Sequence, residues 1–177
     1  MSVEAGFPGI YLVANVNENS IKKEVMLQKG YDAVCYCDIL GHAQQNRNTF
    51  KHKVFKHLQG ILLNRPTHVY DYSKHYKELI GEIDKDENVI PQIVPQWDHS
   101  PRGGRKTNMY IHSTPEYFAK HVRMAMEAIK GKKEEHQILM LKSWNEWAEG
   151  NYMEPDMTHG RGYIDALRQV IDEYKKR

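Results

Sequence analysis

An α/β fold with a parallel sheet is the class this sequence predicts, and three observations carry that prediction. Short β-prone runs alternate with helix-spaced ones from the start of the chain: residues 9–14, a helical stretch ended by Gly30, then residues 32–37. A strand, a helix and a second strand at this spacing make a βαβ unit, whose strands lie parallel. The chain has 177 residues, 40% hydrophobic and 27% charged, which suits one globular domain over 1–177 with its own core. Finally, the segment richest in acids and flat rings, residues 143–156, directly follows the apolar run Ile138-Leu139-Met140-Leu141, which reads as a buried strand. In parallel α/β folds, functional side chains collect just past strand ends of this kind.

The elements follow in order. Residues 9–14 are apolar and β-prone and predict the first strand. Residues 15–19 are turn chemistry, and Asn19 or Ser20 caps a helix that runs to about Lys29. Residues 32–37 are the second strand. Residues 38–67 lack clean periodicity, although Val54, Phe55, Leu58, Ile61 and Leu62 fall at roughly helical spacing. Tyr70-Asp71-Tyr72-Ser73 precedes a helix over 74–85, with Tyr76, Leu79, Ile80 and Ile83 on one face. Ser73 reads as its cap, and Tyr70 and Tyr72 as packing residues. Residues 89–95 are the third strand, and Pro91 and Pro95 argue against regular pairing along all of it. Thr114-Pro115-Glu116 is a helix start, with a threonine cap and proline in the first turn. That helix runs to about Lys130 and turns Phe118, Val122, Ala125, Met126 and Ile129 to one side. The fourth strand covers 137–141. A last helix follows Gly160-Arg161-Gly162, with Tyr163, Ile164, Leu167, Val170, Ile171 and Tyr174 as its buried stripe.

Composition excludes several partners. A net charge of +2 is too small to argue for nucleic acid or an anionic membrane. No run of eighteen apolar residues is present, so no membrane span is expected. Residues 1–6 lack a basic-then-apolar leader, so the expected location is the cytoplasm. Cys35 and Cys37 share one face of a strand, and neighbours of that kind seldom bridge, so two buried thiols are expected. The spacings of His42, His52, His57 and His68 fit no metal-ligand template, and neither a metal nor an organic cofactor is expected.

The chemistry concentrates in residues 143–156. Trp144 and Trp147 interleave with Glu146 and Glu149. Burying unpaired carboxylates is costly, and so is exposing two indoles; a concave site satisfies both demands. Trp144, Trp147 and Tyr152 offer flat faces to pyranose rings, while the two glutamates offer an acid and a base at a glycosidic bond. In an extended segment a spacing of three puts side chains on opposite sides, so a shared site requires the chain to turn, which Gly150 eases. Asn145 orients Glu146 or a sugar hydroxyl. Glu154 is either a hydroxyl ligand or a loop support. In the earlier block, Trp97 either stacks on a sugar or plugs the fold, and Asp98 either binds hydroxyls or caps a loop. Residues 102–106, Arg-Gly-Gly-Arg-Lys, read as a phosphate-greeting flap or a solvated loop.

Two sets of residues carry a family resemblance. Trp144-Asn145-Glu146-Trp147-Ala148-Glu149-Gly150, Glu154-Pro155-Asp156 and Gly160-Arg161-Gly162-Tyr163 resemble the C-terminal signature of the WbsX-type family. These are glycoside hydrolase family 99-like domains of bacterial polysaccharide biosynthesis. Pro95-Gln96-Trp97-Asp98-His99-Ser100-Pro101-Arg102, with Thr114-Pro115-Glu116, is similar to that family too, and the resemblance covers residues 70–175. It implies a (β/α)8 TIM-type barrel. Such barrels typically need about 250 residues, so the chain is expected to be a C-terminal portion of about four strand–helix units, incomplete at its N-terminal side. A homodimer or a separate N-terminal half-barrel would then complete it. The resemblance implies that Glu149 is the general acid/base and that Glu146 takes the proton of the sugar 2-hydroxyl, giving a 1,2-anhydro intermediate with retention. The implied substrate is an oligosaccharide or polysaccharide of the bacterial surface, of lipopolysaccharide or O-antigen type, handled by a hydrolase-like enzyme or a glycosyltransferase. A nucleotide-sugar donor calls for a phosphate cradle or metal-binding carboxylates, and no such motif stands out. The alternative is an inactive half-barrel remnant or a glycan-binding module.

Overall fold

The computed structural model of the chain describes residues 4–6, 9–16, 21–36, 68–104 and 107–176. The helix-spaced run within 38–67, with His42, His52 and His57, lies outside the described residues, as do Cys37, Arg105 and Lys106.

Strand β1 (Val13–Val16), helix α1 (Lys23–Gln28) and strand β2 (Ala33–Tyr36) form the expected βαβ unit, with Val13 opposite Ala33 in a parallel ladder. The strand starts later than the apolar run that announces it. Ile10 stays exposed, and the Leu12 N–H is taken by the Asp32 carboxylate at 2.7 Å before the ladder begins. On its other side β2 makes one isolated parallel bridge, Val34 to Val89, with Val34 N–H on Asn88 O and Ile90 N–H on Val34 O, both at 2.8 Å. A strand partnered on both edges reads as a continuous apolar run, and Ala33, Val34 and Cys35 are fully buried.

β3 (His68–Asp71) leads directly into helix α2 (Tyr72–His75). The single helix expected over 74–85 is instead α2 followed by two 3₁₀ turns, Tyr76–Glu78 and Glu82–Lys85. Gly81 weakens a helix interior by about 1 kcal/mol, and the Asp84 carboxylate captures the Gly81 N–H at 2.8 Å, offering the backbone a competing bond. Ser73 does not cap the helix: its hydroxyl donates to Asp71 Oδ1 at 2.6 Å. Tyr70 and Tyr72 are buried, with Tyr110 edge-on to both at 6.2 and 5.3 Å.

β4 (Gln92–Ile93) runs parallel to β6 (Met140–Leu141), with Met140 N–H on Pro91 O and Lys142 N–H on Ile93 O at 2.9 Å. Pro91 lacks a donor, so it serves this ladder only as an acceptor. Helix α3 (Ser100–Gly103) is a single turn beyond Trp97. β5 (Asn108–Ile111), which no sequence signal announced, pairs in parallel with β3, and Tyr110 N–H donates to Trp97 O at 2.7 Å. The fourth strand is shorter and more exposed than expected. Only Met140 and Leu141 pair, a 3₁₀ turn takes Glu134–His136, and Ile138 and Met140 are 36% and 37% exposed. Among the described residues β6 has a neighbour on one edge only, and Met140 stays exposed while Leu141 packs partly buried against the helix core. With the hairpin of β7 (Asn145–Glu146) and β8 (Asn151–Tyr152), the described strands make four two-stranded ladders rather than one continuous sheet.

The main core lies where helix α4 (Pro115–Ile129) packs on helix α5 (Gly162–Lys175) and on β4. Thr114 caps α4, its hydroxyl oxygen accepting the Tyr117 N–H at 3.4 Å. Phe118, Val122 and Ala125 meet Tyr163, Ala166 and Val170, and each large side chain buried here stabilises the fold by roughly 2 kcal/mol. Ile164, Leu167 and Tyr174 of the expected α5 stripe are half-buried against the same cluster. Arg123 forks onto the Glu173 carboxylate with two bonds of 2.9 Å, fixing the register of the helix pair. One buried polar group interrupts the α4 face. His121 Nδ1 lies 2.9 Å from the Tyr72 hydroxyl, which itself donates to Val94 O at 2.7 Å. The hydroxyl has one proton, so His121 carries its own on Nδ1. Burial pushes this imidazole down to about 4.

Candidate active site

Three residues separate β6 from the β7–β8 hairpin. Glu146 lies opposite Asn151 and Asn145 opposite Tyr152 in antiparallel register. Between the strands, residues 147–149 form one 3₁₀ turn, and Gly150 reverses the chain at φ 52°, in the left-handed region glycine adopts without strain. This turn brings the two acids to one side. Arg102 Nη1 donates to Glu149 Oε1 at 3.1 Å and lies 3.8 Å from Glu146 Oε1. Two such contacts to one atom bound the separation of the two oxygens at their sum, ~6.9 Å. Carboxylates that flank one glycosidic bond stand about 5 to 10 Å apart. His99 Nε2 approaches the same Glu149 oxygen at 3.5 Å.

The hairpin is fastened to the strand exits from below. Asn151 is fully buried, and its amide donates to Gln96 O, past β4, and to Lys142 O, past β6, the latter at 3.1 Å. The Ser143 hydroxyl donates to Asn151 O at 2.6 Å and accepts the Glu146 N–H at 3.2 Å. Asp98 N–H donates to Glu149 O at 2.9 Å. A Cβ on Gly150 would stand 3.0 Å from both the Asp98 nitrogen and its Cβ, so the two motif blocks touch backbone to backbone. Asp98 also turns Oδ1 to the Ser100 N–H at 2.9 Å, which starts α3. That contact is the loop-capping arrangement.

The aromatic residues divide into two groups. Trp147 stacks on Tyr152, centroids 3.8 Å apart and planes 13° from parallel, and its indole N–H donates to Glu154 Oε2 at 2.5 Å. The Tyr152 hydroxyl bonds the Asp156 carboxylate, which also accepts the Thr158 and His159 N–H groups and is held below the ordinary carboxylate range by these bonds against the opposing effect of burial. Trp144 and Trp147 are each about half exposed, and Asn145 is exposed. Trp97 is half-buried against the tyrosine cluster, with Lys142 Nζ 4.4 Å above its ring, so that face is already occupied by a cation. The acids sit at an open surface. Two clefts, of ≈530 and ≈510 Å³, lie elsewhere: one includes Ile80 and Met124, the other Tyr11 and His136. Neither includes a candidate residue.

His99, Lys142 and Asn151 are residues that sequence reasoning left without a role, and Arg102 read only as part of a flap or solvated loop. Their only signal was position, immediately after Trp97-Asp98 or beside the glutamate stretch. Among the described residues no group of three His, Cys, Asp or Glu side chains could hold a metal ion, and no helix is long and apolar enough to cross a membrane.

This geometry can be set beside known proteins. Two proteins named Uncharacterized protein WxcX, from Xanthomonas campestris pv. campestris strains B100 and ATCC 33913, are 29% and 32% identical to the chain over 104 and 101 residues. The matched segments cover 58% and 54% of this chain but 15% and 14% of those proteins, so the chain spans a small part of their length. A solved structure described as a glycoside hydrolase-like protein superposes on 96% of this chain with a TM-score of 0.56 at 14% identity, using 46% of its own length. It shares the α/β fold. The signature around Glu146 and Glu149, folded as a hairpin past a strand end, falls within a match to the family Glycosyltransferase WbsX that runs over residues 1–167, and the chain belongs to that family.

Proposed function

We propose that this chain is the motif-bearing part of a carbohydrate-active domain that cleaves or transfers glycosidic bonds in a bacterial surface polysaccharide of lipopolysaccharide or O-antigen type. One observation carries the reading above all: Glu146 and Glu149 reach the same guanidinium nitrogen, so both face one point in space. In this reading Glu149 gives its proton to the glycosidic oxygen as the bond to C1 breaks. Glu146 takes the proton of the 2-hydroxyl, and O2 closes on C1 as a 1,2-anhydro sugar. Water then opens the ring: Glu149 takes the water proton, Glu146 returns its proton to O2, and two inversions give net retention. The exposed faces of Trp144 and Trp147 receive pyranose rings, Asn145 lies beside them, and Glu154 holds Trp147 in place.

The same proposal covers the fold. The exposed Ile138 and Met140 beside a one-sided β6, and a structural neighbour about twice as long, support the view that these residues are part of a (β/α)8 barrel whose remaining strands come from further polypeptide or from a second copy. That added wall would make a cleft of the open acid site.

Incubation with polysaccharide and, separately, with nucleotide sugars distinguishes the chemistries: new reducing ends mean hydrolysis, and released nucleotide means transfer. Glu146→Gln and Glu149→Gln should each lower turnover by about 10² or more. Full activity in either variant removes that residue from the mechanism, and absence of any turnover beside retained glycan binding points to the binding-module alternative.

A further inference from the structure

We infer that Arg102 is a positioning residue for the glutamate pair: its guanidinium holds Glu146 and Glu149 turned toward one another. The inference rests on the glycosidic role proposed for that pair. Two carboxylates this close repel, and among the described residues Arg102 is the one cation that touches both. His99 reaches Glu149 alone, and Lys142 is engaged above the Trp97 ring. The turn that carries Arg102 is built rather than merely solvated. Asp98 Oδ1 holds the Ser100 N–H, and His99 O accepts the N–H of both Arg102 and Gly103, at 3.2 and 2.9 Å. A Cβ on Gly103 would lie 2.1 Å from Thr107 Cγ2 and 3.2 Å from His99 Nδ1, so the Thr107 side chain would have to shift to admit one. The Thr107 hydroxyl closes the turn on Gly104 O at 2.7 Å. The same turn is tied to the glutamate hairpin through Asp98 N–H on Glu149 O and through Gly150 packed on Asp98. Both ends of the Arg102 bridge are therefore fixed to one frame. The Arg102 side chain is 60% exposed, so the bridge contributes orientation more than stability. A lysine, a point charge on a flexible stem, does not reproduce one planar group shared by two acceptors.

The test has two arms. In the first, the folded protein is labelled with a water-soluble carbodiimide and glycine ethyl ester, and the rate at each glutamate is read by peptide mass spectrometry. Arg102→Ala should raise labelling of both Glu146 and Glu149 by roughly threefold or more, with Glu116 and Glu135 unchanged and Arg102→Lys in between. Unchanged labelling at both positions overturns the inference whatever the activity. In the second, Arg102→Ala should lower kcat by about tenfold or more with KM within about threefold, and added guanidinium chloride at about 50 mM should restore part of the loss. Unchanged kcat, or a loss that guanidinium does not relieve in a folded variant, also overturns it. If Glu149→Gln keeps full turnover, the glycosidic reading fails, and the labelling arm still decides whether Arg102 holds the pair.

Discussion

Replacing Gly150 by alanine tests the joint between the two motif blocks. Gly150 sits at φ 52°, where an L-residue costs about 1–2 kcal/mol. Its new methyl would also stand 3.0 Å from the Asp98 nitrogen and Cβ and 3.2 Å from the Asp98 oxygen. Backbone cannot swing aside as a flexible side chain can, so overpacking adds about 1–3 kcal/mol. The expected total is about 2–5 kcal/mol, which for a chain of this size lowers Tm by roughly 4–20 °C. Gly160 is the control. It has nearly the same φ, 53°, but nothing lies within 4 Å of its Cβ position, so Gly160→Ala should cost only the conformational part, about 1–2 kcal/mol. Urea unfolding of both variants, with turnover measured alongside, separates strain from contact. Gly150→Ala should be the less stable of the two and should lose activity, because the Asp98–Glu149 bond must lengthen to admit the methyl. Equal destabilisation would refute the close approach.

Two further outcomes follow from the same geometry. His121 is buried with its imidazole pushed down to about 4, so the unfolded chain binds a proton more readily; stability is full above about pH 6.5 and falls as pH drops toward about 4, by at most about 3 kcal/mol. Urea midpoints at pH 7 and pH 4.5 should differ in the native protein and differ less in His121→Gln; an unchanged difference would remove His121 as the cause. Trp147→Ala removes a half-exposed ring that also stacks on Tyr152, and glycan affinity measured by calorimetry should fall on the order of tenfold, with a similar loss in Trp144→Ala. Full affinity in both variants would remove the aromatic platform from the account.

Local chemistry was legible wherever it was not contested. The Thr114-Pro115 start of α4 and its apolar stripe depend on residues within one or two turns, and they appear as expected. The break at Gly81 was hidden because the apolar spacing of Tyr76, Leu79, Ile80 and Ile83 continues across it, while the Asp84 bond that competes with the helix carries no periodic mark. β5 was hidden for another reason: Asn108-Met109-Tyr110-Ile111 becomes a strand through pairing with β3 and through Trp97 O, partners far away in sequence. The apolar run at 138–141 promised a buried strand, yet burial depends on what covers it, and among the described residues one edge of β6 is bare. In the site, the turn that unites Glu146 and Glu149 was readable from Gly150. Arg102 read as part of a basic loop, because nothing in its neighbourhood announces that Asp98 is bonded to Glu149. Asn151 carried no reading of its own, although its bonds to two carbonyls at two strand exits make it a buried tie.

The most direct test of the central claim is a double-substitution cycle on turnover with Glu146→Gln, Glu149→Gln and the pair together, assayed as reducing ends released from polysaccharide. If the two acids serve one bond, the double variant loses little more than the more damaged single variant, because residues acting as a unit are not additive. Losses that multiply would mean two independent contributions, and the shared site argued from Arg102 Nη1 would be contradicted.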